Sequence, residues 1–296
     1  VGKRLFIIKD VLEKLYDKYN HHSLIKPDPL QFVYKYSGKA DMEIAAFLGA
    51  CLAYGRVQQI EKSLNSLLGY MGKSPHEFVL GFNERKRSKL SGFKHRFTSG
   101  DDISDLLYLL RKVINQDGSI ESYFVQGYKK RDENIIPALT NFCDSLQRMY
   151  AAEHSGRVSS GLKYLLVNPA DGSACKRLNL FLRWMVRNDD VDAGLWESVD
   201  KAKLIVPMDV HMSRLCRILG FHGRKVVSLS TAIEVTENFA EIEPDDPVKY
   251  DFALSRIGIV ENCSGHYGKY CDDCELLTFC CQERSQKEIL EHICPN

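Results

Sequence analysis

Four cysteines toward the C-terminal end obey Cys263-x7-Cys271-x2-Cys274-x5-Cys280. Thiolates are soft, anionic ligands, and four converging on one point fit an iron–sulfur cluster or a tetrahedral zinc ion. The C-x2-C pair in the middle lets two sulfurs reach one centre from a tight turn. Cys281 is a spare that would replace Cys280 by a shift of register. Among the other cysteines, Cys51 and Cys216 fall on apolar helix faces and read as packing residues.

A second group of residues carries charge in a pattern. Between Arg85 and Arg96 the chain holds Lys86, Arg87, Lys89 and Lys94 with no acidic residue among them, and Phe93 and Phe97 bracket Lys94-His95-Arg96. Such a run is either a solvated loop or a phosphate-contacting surface. Lys176, Arg183 and Arg187 lie 7 and 11 residues apart, which on a helix brings the other two within about 20° of the line through Lys176. That stripe reads as solvated charge or as a face for a polyanion, and the acidic segment after it, from Asp189 to Asp200, as a surface loop. Whole-chain charge does not choose between these readings. Forty basic residues against 39 acidic ones give a net charge of +1, and only the local field over a binding face matters.

The elements that must position these residues are helical. Ile44, Phe47, Leu48, Cys51 and Leu52 follow the helical period after a possible cap at Asp41, and the pattern runs out at Gly55. Val57, Ile60, Leu64, Leu67 and Met71 continue it to Gly72, and Ile103 to Ile114 repeat it up to Asp117-Gly118. Residues 83–102 read as irregular and polar. Asn168-Pro169-Ala170-Asp171-Gly172-Ser173 forms a turn, followed by a helix burying Leu178, Phe181, Leu182 and Met185. Pro207-Met208-Asp209 leads into a helix faced by Met212, Leu215, Cys216 and Leu219, with Asp209 in the N-cap position. Asp246-Pro247 reads as another N-cap with Pro at the first helical position. An all-α fold follows. The 296 residues, 44% of them hydrophobic, exclude disorder and small disulfide scaffolds. No apolar run is long enough for a membrane span, so a soluble, cytoplasmic protein is expected.

The cysteine loop resembles the Cys-x6-Cys-x2-Cys-x5-Cys iron–sulfur signature of endonuclease III and the adenine glycosylases, members of the helix-hairpin-helix DNA glycosylase superfamily. Its first gap is one residue longer. In that superfamily a hairpin precedes the catalytic helix and a Val-Asp-x-His segment supplies a catalytic Asp; Pro207-Met208-Asp209-Val210-His211 stands in the matching order here. Asp28-Pro29-Leu30, Ala53-Tyr54-Gly55-Arg56, Phe93-Lys94-His95-Arg96-Phe97, Gly172-Ser173-Ala174-Cys175-Lys176-Arg177 and Asp246-Pro247-Val248-Lys249-Tyr250-Asp251 are similar to a mostly bacterial family within the superfamily. The hairpin departs from Leu-Pro-Gly-x-Gly-x-Lys, since its Lys arrives only at 176, and Asp171 puts a negative charge in a turn expected to face phosphate. Lys176 precedes Asp209 by 33 residues, a separation similar to that of archaeal 8-oxoguanine glycosylases.

The resemblance implies a two-lobed fold, with residues 35–199 as a helical barrel and residues 1–34 joined to 200–296 as the other lobe, carrying the cysteine loop at 263–281. It implies a DNA glycosylase with AP lyase activity, acting as a monomer on double-stranded DNA containing a damaged base or an abasic site, in the nucleoid. Lys176 would be the nucleophile, its deprotonation favoured by desolvation or by Arg177 and Arg183, and Asp209 would stabilise developing positive charge. Tyr54 would stack on or wedge beside a base, and Arg56 would read a base edge or phosphate. Lys94, His95, Arg96, Gly172, Ser173, Arg177, Arg183, His211 and Lys269 complete the expected DNA contacts. The cofactor would be a 4Fe–4S cluster, with zinc as the alternative, and it would pre-organise the loop holding His266 and Lys269. The rival is a DNA- or RNA-binding protein of the same fold without catalysis, and a third reading is a zinc-stapled protein outside nucleic-acid metabolism. Anaerobically purified protein is expected to be brown and to contain iron by elemental analysis; a colourless protein with stoichiometric zinc sinks the cluster reading.

Overall fold

The computed structural model describes residues 2–261, 263 and 269–280. Helices α1 (Gly2–Tyr19), α2 (Lys39–Cys51), α3 (Val57–Met71), α4 (Pro75–Leu80) and α5 (Glu84–Leu90) lead to a minimal hairpin, β1 (Lys94–His95) and β2 (Thr98–Ser99). Then come α6 (Gly100–Asp117), α7 (Ile120–Phe124), α8 (Ile136–Glu153), α9 (Ser160–Leu165), α10 (Lys176–Val186), α11 (Val210–Ile218), α12 (Leu229–Ala240) and α13 (Asp251–Ile259). The protein is mostly helical, as the periodicity implies. None of the described helices is long and apolar enough to cross a membrane.

Helix α2 is the axis. Its residues from Glu43 to Cys51 are buried without interruption, the pattern of a helix wrapped on all sides. The 3₁₀ turn Pro29–Lys35 and α10 pack on it, and Gly49 lets the Pro29 carbonyl and the Trp184 ring approach to 3.7 and 3.8 Å of where a Cβ would stand. Glu43, within this core, accepts the N–H groups of Ile120 and Glu121 at 3.0 and 2.9 Å and the Trp196 indole at 2.8 Å. A buried carboxylate thus caps the first turn of α7. Helix α1 lies against α13, with Ile8, Leu12 and Leu15 buried and Glu13 accepting from Lys249 at 2.8 Å and from the Tyr250 hydroxyl at 2.7 Å.

Three local readings are corrected. Residues 83–102 are ordered: Asn83 caps α5 through its side chain, and the β1–β2 hairpin follows. Asp41 lies inside the first turn of α2, where it accepts from the Ser74 hydroxyl and the His76 amide. Asp246 starts no helix, because α13 begins at Asp251; its carboxylate accepts from the Arg187 guanidinium at 2.9 Å instead.

That contact belongs to the largest correction. Arg183 and Arg187 are buried, and the segment expected to be a surface loop supplies two of their counter-charges, Asp189 and Asp192. Arg183 Nε meets Asp192 at 3.2 Å and its Nη1 pairs with Asp251, while Arg187 meets Asp189, Asp192 and Asp246. The helical phase arithmetic holds, yet the far end of the stripe faces protein rather than solvent. Removing one partner of a buried set strands the others, at a cost of about 3–5 kcal/mol. Asp192→Ala is therefore expected to lower the stability read from urea unfolding by about that amount, whereas Lys14→Ala, which breaks the exposed pair with Asp10, should leave the midpoint unmoved.

Candidate active site

Two helix starts meet at the site. Lys176 is the first residue of α10, reached through Cys175, which takes a left-handed conformation at φ 46° and is held by the Ser173 hydroxyl on its N–H and by its own thiol on the Val167 carbonyl. Asp209 is the N-cap of α11, with Oδ1 accepting the Met212 amide at 2.9 Å. Its other oxygen, Oδ2, lies 3.0 Å from Lys176 Nζ. One carboxylate therefore closes a helix and meets the amine, so the cap fixes the oxygen that faces Lys176.

The pair lines a cavity of about 470 Å³, within the range of small-molecule sites. Tyr54, Leu180, Met212 and Ile259 line it with apolar surface, and Asp28, Arg183, Asp251 and Arg256 with polar groups. Burial pushes Asp209 up, but the Lys176 ammonium, the Met212 amide and the hydrogen bond to Lys176 outweigh it, and the carboxyl sits below the usual range. Burial also raises Asp251, to about 6, against the pull of Arg183. The His211 ring is held below its ordinary pKa by burial and by Arg214. Arg214 contacts Nδ1 at 2.8 Å and, being a donor, places the ring proton on Nε2. The ring rests on Gly258, where a Cβ would fall 1.9 Å from Nε2.

The remaining expected contacts divide. Tyr54 is half-buried and its hydroxyl is spent on the His95 carbonyl and Thr98 Oγ1, both at 2.8 Å. His95 is fully buried, bound to Ser63 Oγ and the Tyr54 carbonyl, and so is a structural residue rather than a DNA contact. Arg183 is corrected likewise: it is buried in its ion pairs. Arg177 donates to the Cys51 and Tyr164 carbonyls and lies over the rings of Tyr54 and Tyr164, which fastens α10 to the end of α2. Arg56, Lys94, Arg96, Gly172 and Lys269 are exposed, and Ser173 is partly so. In the basic run, Arg87 pairs with Asp101 and Asp105, and Lys86 donates to the Phe78 carbonyl.

Cys263, Cys274 and Cys280 pack, partly buried, against the core, and Cys271 is partly exposed beside them in sequence. Arg214 donates to the Cys263 carbonyl at 2.6 Å and stands 4.0 Å from its sulfur, a cation suited to an anionic thiolate. Among the described residues no three His, Cys, Asp or Glu side chains are gathered as a metal site. Cys281 and His266 lie outside the described residues.

Sequence reasoning missed Asp28, Asp251 and Arg256. Arg256 is buried, donates to Asp28 at 3.1 Å and to the Leu24 carbonyl at 3.0 Å, and covers the Phe252 ring. The clue was the two Asp-Pro segments, whose acids serve buried arginines. With this geometry in view, the family described as "Protein of unknown function (DUF2400)" matches residues 28–260. The chain belongs to that family. No curated protein and no solved structure matches it.

Asn caps a helix about as well as Asp, whereas Ala costs about 1 kcal/mol. Asp209→Asn is expected to keep wild-type stability at neutral pH within about 1 kcal/mol, with Asp209→Ala clearly lower. Because the folded carboxyl is depressed, its contribution is full above the unfolded pKa and is lost as pH falls through the folded value. Acid unfolding of Asp209→Asn should therefore show a smaller loss of stability below about pH 4; an unchanged acid limb contradicts the ion pair.

Proposed function

We propose that this chain is a base-excision enzyme of double-stranded DNA, a glycosylase with AP lyase activity, with an oxidised purine as the favoured lesion. In this reading residues 35–199 form one lobe, residues 1–34 with 200–296 the other, and the cavity lies in the cleft between them in a helix-hairpin-helix arrangement. The observation that carries it is the 3.0 Å approach of Lys176 Nζ to Asp209 Oδ2 at the mouth of two helices, in a cavity with room for a flipped base.

The chemistry follows from those two groups. Lys176, after losing its proton, donates its electron pair to the sugar C1′. The C1′–N bond breaks, and its electrons leave with the base, which takes up a proton. Asp209, held ionised by its surroundings, offsets the positive charge that develops on the sugar and relays protons. The C1′–O4′ bond then breaks as a proton passes from the Lys176 nitrogen to O4′, leaving a Schiff base between C1′ and Lys176; a proton leaves C2′, and the C3′–O bond breaks with the phosphate as leaving group.

Cys263, Cys271, Cys274 and Cys280 would hold a 4Fe–4S cluster or zinc, and the core contacts of three of them with Arg214 beside Cys263 suit such a group. Its contribution would be a staple that orders the loop bearing Lys269. A cytoplasmic, nucleoid-associated monomer fits this role.

One observation favours a second reading, a nucleic-acid binder without catalysis: Lys176 is engaged in an ion pair, and a paired ammonium does not attack. Duplexes carrying an abasic site or 8-oxoguanine separate the two. Wild type is expected to cleave the abasic strand, Lys176→Ala to lose that cleavage by at least a hundredfold, and Asp209→Asn to lose a comparable factor while staying folded. Binding of both duplexes with neither base release nor strand cleavage selects the binding protein.

A further inference from the structure

We infer that Phe97, at the tip of the β1–β2 hairpin, is the wedge that enters the base stack beside the nucleotide held at Lys176, with Arg96 on the adjoining phosphate. This rests on the DNA reading of the Lys176 site and moves the wedge role from Tyr54, whose hydroxyl is committed inside the protein.

Phe97 is 70% exposed, while the hairpin beneath it is anchored through buried His95 and Thr98. His95 pairs with Thr98, leaving Arg96 and Phe97 as the two turn residues, and Arg96 takes φ 51°, a conformation that side chains other than Gly, Asn and Asp rarely adopt. Below the turn, buried His95 bonds to Ser63 at 2.9 Å and to the Tyr54 carbonyl at 3.0 Å. Tyr54 returns two bonds to the hairpin at 2.8 Å. Arg96 lies against Gly55, whose φ is 95° and where a Cβ would fall 2.6 Å from Arg96 Cδ. An apolar ring presented to water on so fixed a mount is positioned for a partner.

The surroundings say which partner. Phe97 meets the Tyr164 ring edge-on at 6.0 Å between centroids, and Tyr164 meets Tyr54 at 5.2 Å. Tyr54 lines the cavity that holds Lys176, so the exposed ring is two aromatic contacts from that cavity. Arg96 stands 5.3 Å from the Phe97 centroid and 6.0 Å from that of Tyr54, and exposed Lys94 lies on β1. Rings interleaved with cations, in a stretch without an acidic residue from Arg85 to Gly100, suit bases and phosphates together. A cation against the ring and a second on the same hairpin favour a polyanion over a protein-docking surface.

The test uses the full chain and a duplex with a non-cleavable tetrahydrofuran abasic analogue opposite 2-aminopurine. Wild type at saturation is expected to change the 2-aminopurine fluorescence. Phe97→Ala should bind within about tenfold of wild type yet leave the fluorescence at its free-duplex value, and Phe97→Trp should restore the change. Arg96→Ala should weaken binding, reduce the slope of log affinity against log salt by about one, and keep the fluorescence change at saturation. A wild-type fluorescence change in Phe97→Ala overturns the inference while leaving the Lys176 reading intact, and assigns the tip to a protein partner or to none. Failure of wild type to bind either this duplex or an intact one overturns both.

Discussion

The buried ion set around Arg183 and Arg187 is the constraint on which the rest depends. Two guanidiniums and four carboxylates leave water together, and such a group is tolerated only if every member is paired. Asp192 comes from the segment after α10, Asp246 from the turn before α13, and Asp251 from α13 itself. The pairing therefore fixes α10 against the C-terminal helices at its own C-terminal end. Its N-terminal end, where Lys176 sits, is fixed by Arg177 on the Cys51 and Tyr164 carbonyls. A helix held at both ends presents its first residue at one place.

Asp209 is positioned by a different device with the same effect. Pro207 and Met208 deliver the chain to α11, and the N-cap bond to Met212 stops rotation of the carboxylate. Asp251 links the two devices, since it pairs with Arg183 and lines the same cavity as Asp209. Burial raises Asp251 while Lys176 and its helix cap lower Asp209. Two acids in one cavity are thus pushed apart in pKa, Asp251 raised by burial despite its pairing with Arg183 and Asp209 lowered by the amine it faces.

Much of this was legible in the sequence. Helices α3 and α6 run where their apolar periods do and stop at Gly72 and Gly118, both at positive φ, because a local pattern and a local stop signal suffice. The apposition of Lys176 with Asp209 was expected only from the resemblance to the helix-hairpin-helix glycosylases. The burial of Arg183 and Arg187 was not, since helical phase tells which residues share a face and not what covers that face. Phe97 was noticed as a bracket of the basic run, but strands of two residues leave no periodicity, so the hairpin that displays it was invisible. His95 shows the opposite error: a polar residue in a basic run, buried because Ser63 and the Tyr54 carbonyl satisfy both of its nitrogens.

That Lys176 is a nucleophile held against Asp209 is tested most directly by locating the covalent bond. Borohydride added during incubation with an abasic duplex fixes any Schiff base, and proteolysis with tandem mass spectrometry identifies the modified residue. The deoxyribose mass is expected on the peptide that contains Lys176. The same mass on another lysine or on the α-amine, or an unmodified Lys176 peptide beside complete strand cleavage, contradicts it.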